Sequence, residues 1–196
     1  ACASLVGDKL LTLGPFTLGI PVGKNKEAQR IKHVFDVSTL LSLHPRLEEI
    51  RASFFACTDH ENRLQRKNIR SEQLLSDTLA LCASVVKHPY SPDPASDLPD
   101  VFRENARGLE PFRNHLFSRQ YSWHSLQCDM ARVALCITAV CIQDVGSEEF
   151  AQALSRARPC STNGRFPDGA VEIQDEEVQY YWDYVCEWLG KRELHE

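Results

Sequence analysis

Two ionisable residues near the start of the sequence lie within segments that are otherwise apolar. Lys9 lies two residues after Gly7 in the first segment, and Asp36 directly follows Phe35 in the second. A lysine ammonium can offset the charge of a phosphate, whereas a carboxylate among apolar residues needs a partner. Each residue also has a purely structural interpretation. Lys9 can extend its ammonium to solvent from a helix edge, and Asp36 can pair with Lys32 one helical turn earlier. The residue pattern leaves both alternatives open.

Both segments have the spacing of apolar residues that is typical of amphipathic helices. The apolar positions are Leu5, Val6, Leu10 and Leu13 in the first segment and Ile31, Val34, Phe35 and Leu41 in the second. The loop between them is rich in proline, which fixes the backbone angle φ, and in glycine, which leaves it free. These residues are Gly14, Pro15, Gly19, Pro21 and Gly23. We therefore expect two helices joined by an ordered turn, with Gly7 allowing another backbone to approach the first helix closely.

Four short motifs follow one another in this region. They are Gly7-Asp8-Lys9-Leu10, Pro15-Phe16-Thr17-Leu18-Gly19-Ile20-Pro21, Lys24-Asn25-Lys26 and Ile31-Lys32-His33-Val34-Phe35-Asp36-Val37. In type and order they resemble the AbiEii/AbiGii family of nucleotidyltransferase toxins, which bacterial toxin–antitoxin and phage-defence (abortive infection) operons encode. The resemblance rests on this N-terminal stretch, and it implies a transferase. A weaker similarity continues to about Val145, at Arg107-Gly108-Leu109 and Asn114-His115-Leu116, and no inference is based on it.

The resemblance also implies roles for individual residues. The complete enzyme would transfer a nucleotide from an NTP, with Mg²⁺, to an acceptor that in some members is a tRNA end. Lys9 and Asp36 would be the catalytic residues, with Lys9 on a phosphate and Asp36 orienting a catalytic group or acting as general base. The candidate nucleotide contacts are Lys9, Thr12, Thr17, Lys24, Arg30 and Lys32. The alternatives are a solvated helix face for the cationic residues and a bond to its own backbone for Thr12. A cognate antitoxin is the implied partner, and RNA is a candidate acceptor.

One part of the family's site is not found in the sequence. The family holds its metal with paired acidic residues after a Gly-Ser turn, whereas Gly146-Ser147 is followed here by Glu148-Glu149 in a helical segment. We therefore expect no metal ligands in this chain. It would be the C-terminal part of a nucleotidyltransferase, inactive alone and completed by an upstream N-terminal polypeptide. One alternative is a catalytically inactive protein-interaction domain derived from that family. Another is an unrelated helical regulatory protein, in which the Lys9 region makes no ordered contact with Asp36.

The composition narrows the class of protein. The 196 residues are 43% hydrophobic and 25% charged, as in folded proteins, and the net charge of −5 argues against a general nucleic-acid-binding surface. The eight cysteines include no Cys-x-x-Cys pair, which argues against a structural zinc site. No apolar run reaches about 18 residues, the length that a membrane-spanning helix needs. We expect a reduced, soluble, cytoplasmic protein with no membrane partner.

Helical spacing recurs along the whole chain, so we expect a mainly α fold, a bundle of about seven to nine helices. Residues 1–88 would form a helical region that carries the Lys9/Asp36 half-site. Residues 89–99 would form a proline-rich connector and residues 100–196 a C-terminal helical region, all within one compact domain. Gly108 and Pro111 predict a break that divides residues 100–118 into two short helices. The strongest amphipathic pattern runs from Ser122 to Val145.

Overall fold

The computed structural model describes residues 2–91, 95, 97–116, 120–155 and 175–193. These residues form eight α-helices and no strand. The helices are α1 (Cys2–Leu11), α2 (Glu27–Leu41), α3 (Leu47–Gln65), α4 (Ser71–Val86), α5 (Asp100–Arg113), α6 (Trp123–Cys141), α7 (Ser147–Ser155) and α8 (Glu176–Glu193). The prediction of a mainly α bundle with about seven to nine helices is therefore confirmed.

Helix α6 lies at the centre of the bundle, where it packs against α2, α3, α4 and α8. The predicted apolar stripe of this helix is completely buried, at Leu126, Met130, Val133, Ile137 and Val140. Most of the other faces are buried as well, because small residues such as Ala131, Ala134 and Ala139 let neighbouring helices approach. A helix that is apolar on nearly every side is a core helix, and α6 is one.

An arginine from α3 caps the C-terminal end of α6. The Arg51 guanidinium donates hydrogen bonds to the carbonyls of Ala139, Ile142 and Val145, at 2.6, 2.6 and 2.9 Å. Carbonyls at a helix end have no partner within the helix, so this single side chain satisfies groups that burial would otherwise leave unpaired.

Helix α1 packs closely on α3 through Gly7. A Cβ atom at Gly7 would lie 2.7 Å from the backbone nitrogen of Phe54 and 2.8 Å from Cβ of Ser53. The prediction that Gly7 permits a close backbone approach is confirmed. Leu5 was predicted to face the core but is 49% exposed, because it lies beside the buried stripe formed by Ala3, Val6 and Leu10.

The α1–α2 loop (residues 12–26) is held by hydrogen bonds within itself and to distant helices. Within it, the backbone nitrogen of Ile20 donates to the carbonyl of Thr12 at 2.8 Å. The carboxylate of Asp77 on α4 accepts from the backbone nitrogen of Phe16 at 2.9 Å and from the hydroxyl of Thr17 at 2.8 Å. Burial raises the pKa of Asp77, and these hydrogen bonds partly oppose that rise. The expected ordered turn is present.

The predicted break near Gly108 and Pro111 is wrong, since α5 continues through both residues to Arg113. Pro111 lies in the last turn of α5, so its missing N–H costs a single hydrogen bond near a helix end. Gly108 does not break the helix either, because it serves packing. A Cβ there would lie 2.9 Å from the carbonyl carbon of Glu27, so glycine lets α5 and the start of α2 approach each other.

Helices from both sides of the predicted 89–99 connector pack on one another. Helix α2 contacts α5 and α6, and α4 contacts α5 and α6. Their buried apolar side chains belong to one hydrophobic cluster. Pro92 and Pro94, two of the residues on which the connector prediction rests, lie outside the described residues.

Candidate functional site

Lys9 on α1 and Asp36 on α2 meet where these two helices pack together. The Lys9 Nζ atom donates to Oδ2 of Asp36 at 2.8 Å, and the Lys32 Nζ atom donates to the same oxygen at 2.7 Å. The Lys9 and Asp36 side chains are 21% and 22% exposed, so a ligand in solvent can reach them. We call Lys9, Lys32 and Asp36 the Lys9 cluster. Its two ammonium groups and one carboxylate leave one net positive charge.

A second pair of polar side chains adjoins the Lys9 cluster. The Thr12 hydroxyl donates to the carbonyl of Lys9 at 2.6 Å and lies 2.6 Å from Nδ1 of His33. A hydroxyl has one proton, and here that proton is used on the carbonyl of Lys9. The His33 Nδ1 atom must therefore be the donor to Thr12, which fixes the imidazole as the Nδ1–H tautomer when it is neutral.

The surroundings of the Lys9 cluster favour a charged Asp36 and a neutral His33. Burial raises the pKa of Asp36, but the hydrogen bonds from Lys32 and Lys9 outweigh it, so the pKa lies below the usual value. Burial also lowers the pKa of His33, and the positive charges of Lys9 and Lys32 lower it further. Asp36 is thus an anion at neutral pH, while His33 adds no charge to the cluster.

An open cavity of about 530 Å³ is lined by residues of α1, the α1–α2 loop and α3, and by Gln29 of α2. Its polar lining includes Asp8, Thr12, Lys26, His60 and Glu61, and its apolar lining includes Leu11, Leu18 and Ile20. Thr12 both lines this cavity and donates to the carbonyl of Lys9, so it links the cavity to the Lys9 cluster. Lys9 and Asp36 themselves are not among the lining residues.

Arg30, predicted as a nucleotide contact, is completely buried. Its Nη2 atom donates to Oε2 of Glu104 on α5 at 3.0 Å and to the carbonyl of Ile20 at 3.2 Å. The other oxygen of Glu104, Oε1, accepts from the backbone nitrogen of Gly23 at 2.5 Å. The prediction for Arg30 is corrected accordingly, because this side chain joins the α1–α2 loop to α5 and does not face solvent.

The other predicted nucleotide contacts are not all brought together. Thr12 and Lys32 lie at the Lys9 cluster. Thr17 donates to Asp77 and its carbonyl accepts from Lys67 at 2.7 Å, so both groups hold the loop. Lys24 lies exposed in the loop, next to Gly23. The run of basic residues from Lys24 to Lys32 therefore does not form one surface patch.

The donor set of the Lys9 cluster does not fit Mg²⁺. This ion prefers several oxygen ligands, commonly one or two carboxylates with water and phosphate. The cluster offers one carboxylate whose Oδ2 atom already accepts from two ammonium groups, and those cations would repel a divalent ion. In the described part of the chain, no three candidate metal ligands converge there. A surplus of positive charge is suited to an anion instead.

His33 is the member of this site that the sequence predictions missed. The sequence contains a feature that could have identified it, because His33 and Asp36 are three residues apart and so share one face of α2. Its hydrogen bond to Thr12 spans 21 residues. Only the packing of α1 on α2 reveals that contact.

None of the helices that the structure describes combines the length and apolar character needed to span a membrane. Comparisons of the chain with protein-family models, with curated proteins and with solved structures found no match.

Proposed function

We propose that this chain is the helical C-terminal part of a nucleotidyltransferase and that the Lys9 cluster contacts the phosphates of an NTP. The observation that carries the proposal is the meeting of Lys9 and Asp36, 27 residues apart, at 2.8 Å on a partly exposed surface. The order of motifs around these residues resembles that of AbiEii-type toxins. Nothing beyond that motif order supports the choice of transfer chemistry.

The charge of the Lys9 cluster supports a phosphate ligand. Lys9 and Lys32 carry two positive charges against the single charge of Asp36. A phosphate oxygen that approaches can share the ammonium protons with Asp36. Asp36 also keeps the two ammonium groups together, although they repel each other in the absence of ligand. The carboxylate is therefore proposed to position both lysines.

The neighbouring cavity supports a place for the rest of the nucleotide. Its volume of about 530 Å³ lies within the roughly 300–1,000 Å³ that is typical of small-molecule sites. Thr12 joins it to the Lys9 cluster through its hydrogen bond to the carbonyl of Lys9. We place the nucleoside in this cavity and the phosphates at the cluster. The carboxylates for Mg²⁺ would come from a separate polypeptide or segment, and a tRNA end and an antitoxin are the proposed acceptor and partner.

Titration calorimetry of each NTP in the presence of Mg²⁺ tests this proposal on the wild type, Lys9→Ala and Lys191→Ala. Lys191 is the control, because it is also partly exposed and also pairs with carboxylates, Glu149 at 2.6 Å and Glu187 at 3.7 Å. We expect Lys9→Ala to weaken binding about 5- to 30-fold, as the loss of about 1–2 kcal/mol implies for a partly exposed charge. Lys191→Ala should bind like the wild type. Equal affinity of all three proteins would overturn the proposal.

A second candidate is a catalytically inactive protein-interaction domain. The favouring observation is a set of large apolar side chains at the surface, with Phe16 70%, Leu43 68% and Leu64 65% exposed. A protein that binds no NTP in the titration above would support this candidate over the transferase.

A further inference from the structure

Three side chains of metal-binding type meet at the N-terminal ends of α6 and α8. His124 and Cys128 lie on α6, and Asp175 directly precedes α8. One ligand atom from each lies within 4.8 Å of the other two. We propose that His124, Cys128 and Asp175 bind one zinc ion, which ties the start of α6 to the start of α8. This site is separate from the Lys9 cluster, and its test does not depend on nucleotide binding.

The spacing of the two residues on α6 is suited to a shared ligand. Residues four apart on a helix lie on one face, one turn from each other. The Cys128 Sγ atom lies 3.7 Å from Nε2 of His124. Zinc bonds of about 2.3 Å to sulfur and 2.0–2.1 Å to nitrogen, arranged tetrahedrally, place these two atoms about 3.6 Å apart. The separation on α6 is therefore already close to that of a zinc-bound pair.

Asp175 supplies the ligand that joins the second helix. Its Oδ2 atom lies 3.6 Å from Nδ1 of His124. Zinc binds one imidazole nitrogen, whereas Cys128 lies next to Nε2 and Asp175 next to Nδ1, so the imidazole ring must turn for one nitrogen to share the metal with both partners. The His124 side chain is 58% exposed, which leaves the imidazole ring the rotamer freedom for this adjustment.

The Asp175 carboxylate is held in place by the helix that it caps. Its Oδ1 atom accepts from the backbone nitrogens of Glu177 and Val178, at 3.0 and 2.9 Å. This N-cap uses one oxygen and fixes the plane of the carboxylate, while the second oxygen faces His124. Hydrogen bonds that orient a ligand in this way are typical of metal sites.

The donor set selects the class of metal. A thiolate is a soft ligand that Mg²⁺ and Ca²⁺ disfavour, whereas imidazole, thiolate and carboxylate together suit zinc. Three protein ligands leave the fourth tetrahedral position for water. A search for Cys-x-x-Cys pairs does not find this site, because one ligand pair is His-x-x-x-Cys and the third ligand lies 47 residues beyond Cys128.

Cobalt(II) titration of the full chain under reducing conditions tests the site, since cobalt occupies zinc sites and its bond to a thiolate is coloured. We expect one cobalt per chain, a thiolate-to-cobalt charge-transfer band, and loss of the colour when zinc is added. Cys128→Ala should abolish the band. His124→Ala and Asp175→Asn should weaken binding at least about 10-fold. Asparagine keeps a cap acceptor, so Asp175→Asn separates metal binding from capping.

Cys57→Ala is the matched control, because Cys57 is also half-buried and lies beside His60 at the cavity. It should leave the band and the affinity unchanged. Should Cys128→Ala fail to fold, His124→Ala decides, because its side chain is largely exposed. A band that persists in Cys128→Ala or at full strength in His124→Ala, or that disappears in Cys57→Ala, would overturn the proposal. Absence of any band in the wild type would overturn it as well.

Discussion

Replacement of Glu104 by alanine tests how the α1–α2 loop is anchored to the bundle. Glu104 is the ion-pair partner of Arg30, at 3.0 Å, and the two side chains are 6% and 0% exposed. Without the carboxylate, a buried guanidinium would retain its hydrogen bond to the carbonyl of Ile20. Within the described residues, Nε and Nη1 of Arg30 already lack hydrogen-bond partners. The substitution therefore removes the ion-pair partner of a buried charge, which keeps only the longer-range attraction of the Asp77 carboxylate.

We expect Glu104→Ala to lower the free energy of unfolding by about 3–5 kcal/mol, the usual cost of removing one partner of a buried pair. Loss of the acceptor for the Gly23 nitrogen adds little, because Gly23 is exposed and water can replace the carboxylate. Urea unfolding followed by circular dichroism at equilibrium measures the change. Native proteins have only about 5–15 kcal/mol to lose, so a marginal protein would unfold.

Glu110→Ala on the same helix is the control for this experiment. Glu110 pairs with Arg113 at 3.0 Å, but these side chains are 65% and 44% exposed. An exposed pair contributes about 0–1 kcal/mol, so this variant should unfold nearly like the wild type. Equal losses in Glu104→Ala and Glu110→Ala, or a loss below about 1 kcal/mol in Glu104→Ala, would refute the reasoning.

Three further predictions follow from the packing and from the pKa shifts. Arg51→Met should lower the free energy of unfolding by about 2–4 kcal/mol in urea, because three carbonyls at and just after the C-terminal end of α6 lose their donor; a loss within error would contradict this. Gly7→Ala should lower the melting temperature, since overpacking costs about 1–3 kcal/mol, whereas Gly190→Ala on α8, with open space around it, should not. The lowered pKa of His33 means that the unfolded chain binds its proton more readily. The free energy of unfolding of the wild type should therefore fall as the pH drops through about 6.5, the pKa of histidine in the unfolded chain. A pH series of unfolding curves should show a shallower fall in His33→Asn, which retains an N–H donor. An identical fall in both proteins would contradict this prediction.

Periodicity in the sequence was sufficient for the fold class because the buried faces of most helices repeat every three or four residues. The face of α6 at Leu126, Met130 and Val133 is an example. The pattern could not show that the opposite face is buried too, because alanines are compatible with core and surface. The predicted helix break at Pro111 was wrong, because a proline in the last turn of a helix disrupts a single hydrogen bond.

The candidate site was partly predictable for a similar reason. Lys9 and Asp36 were selected together by motif order, and the structure brings them to 2.8 Å. The burial of Arg30 could not be predicted, because its partner Glu104 lies 74 residues away in the sequence. No local pattern indicates that the two side chains are buried together. The spacing of His124 and Cys128 in the sequence is enough to indicate the α6 half of the proposed zinc site. Asp175 joins it only through the packing of α8 on α6.

The central claim, that the Lys9 cluster binds phosphate through its surplus positive charge, is tested most directly by two substitutions of opposite charge. Calorimetric titration of ATP without Mg²⁺ at low ionic strength compares the wild type with Lys9→Ala and Asp36→Asn. Lys9→Ala removes the surplus charge, whereas Asp36→Asn raises it from one to two and keeps an amide oxygen that can still accept from the two lysines that Asp36 positions. The account predicts weaker binding in the first variant and tighter binding in the second, each by about 5- to 30-fold. Changes in the same direction, or no binding of ATP by any of the three proteins, would contradict it.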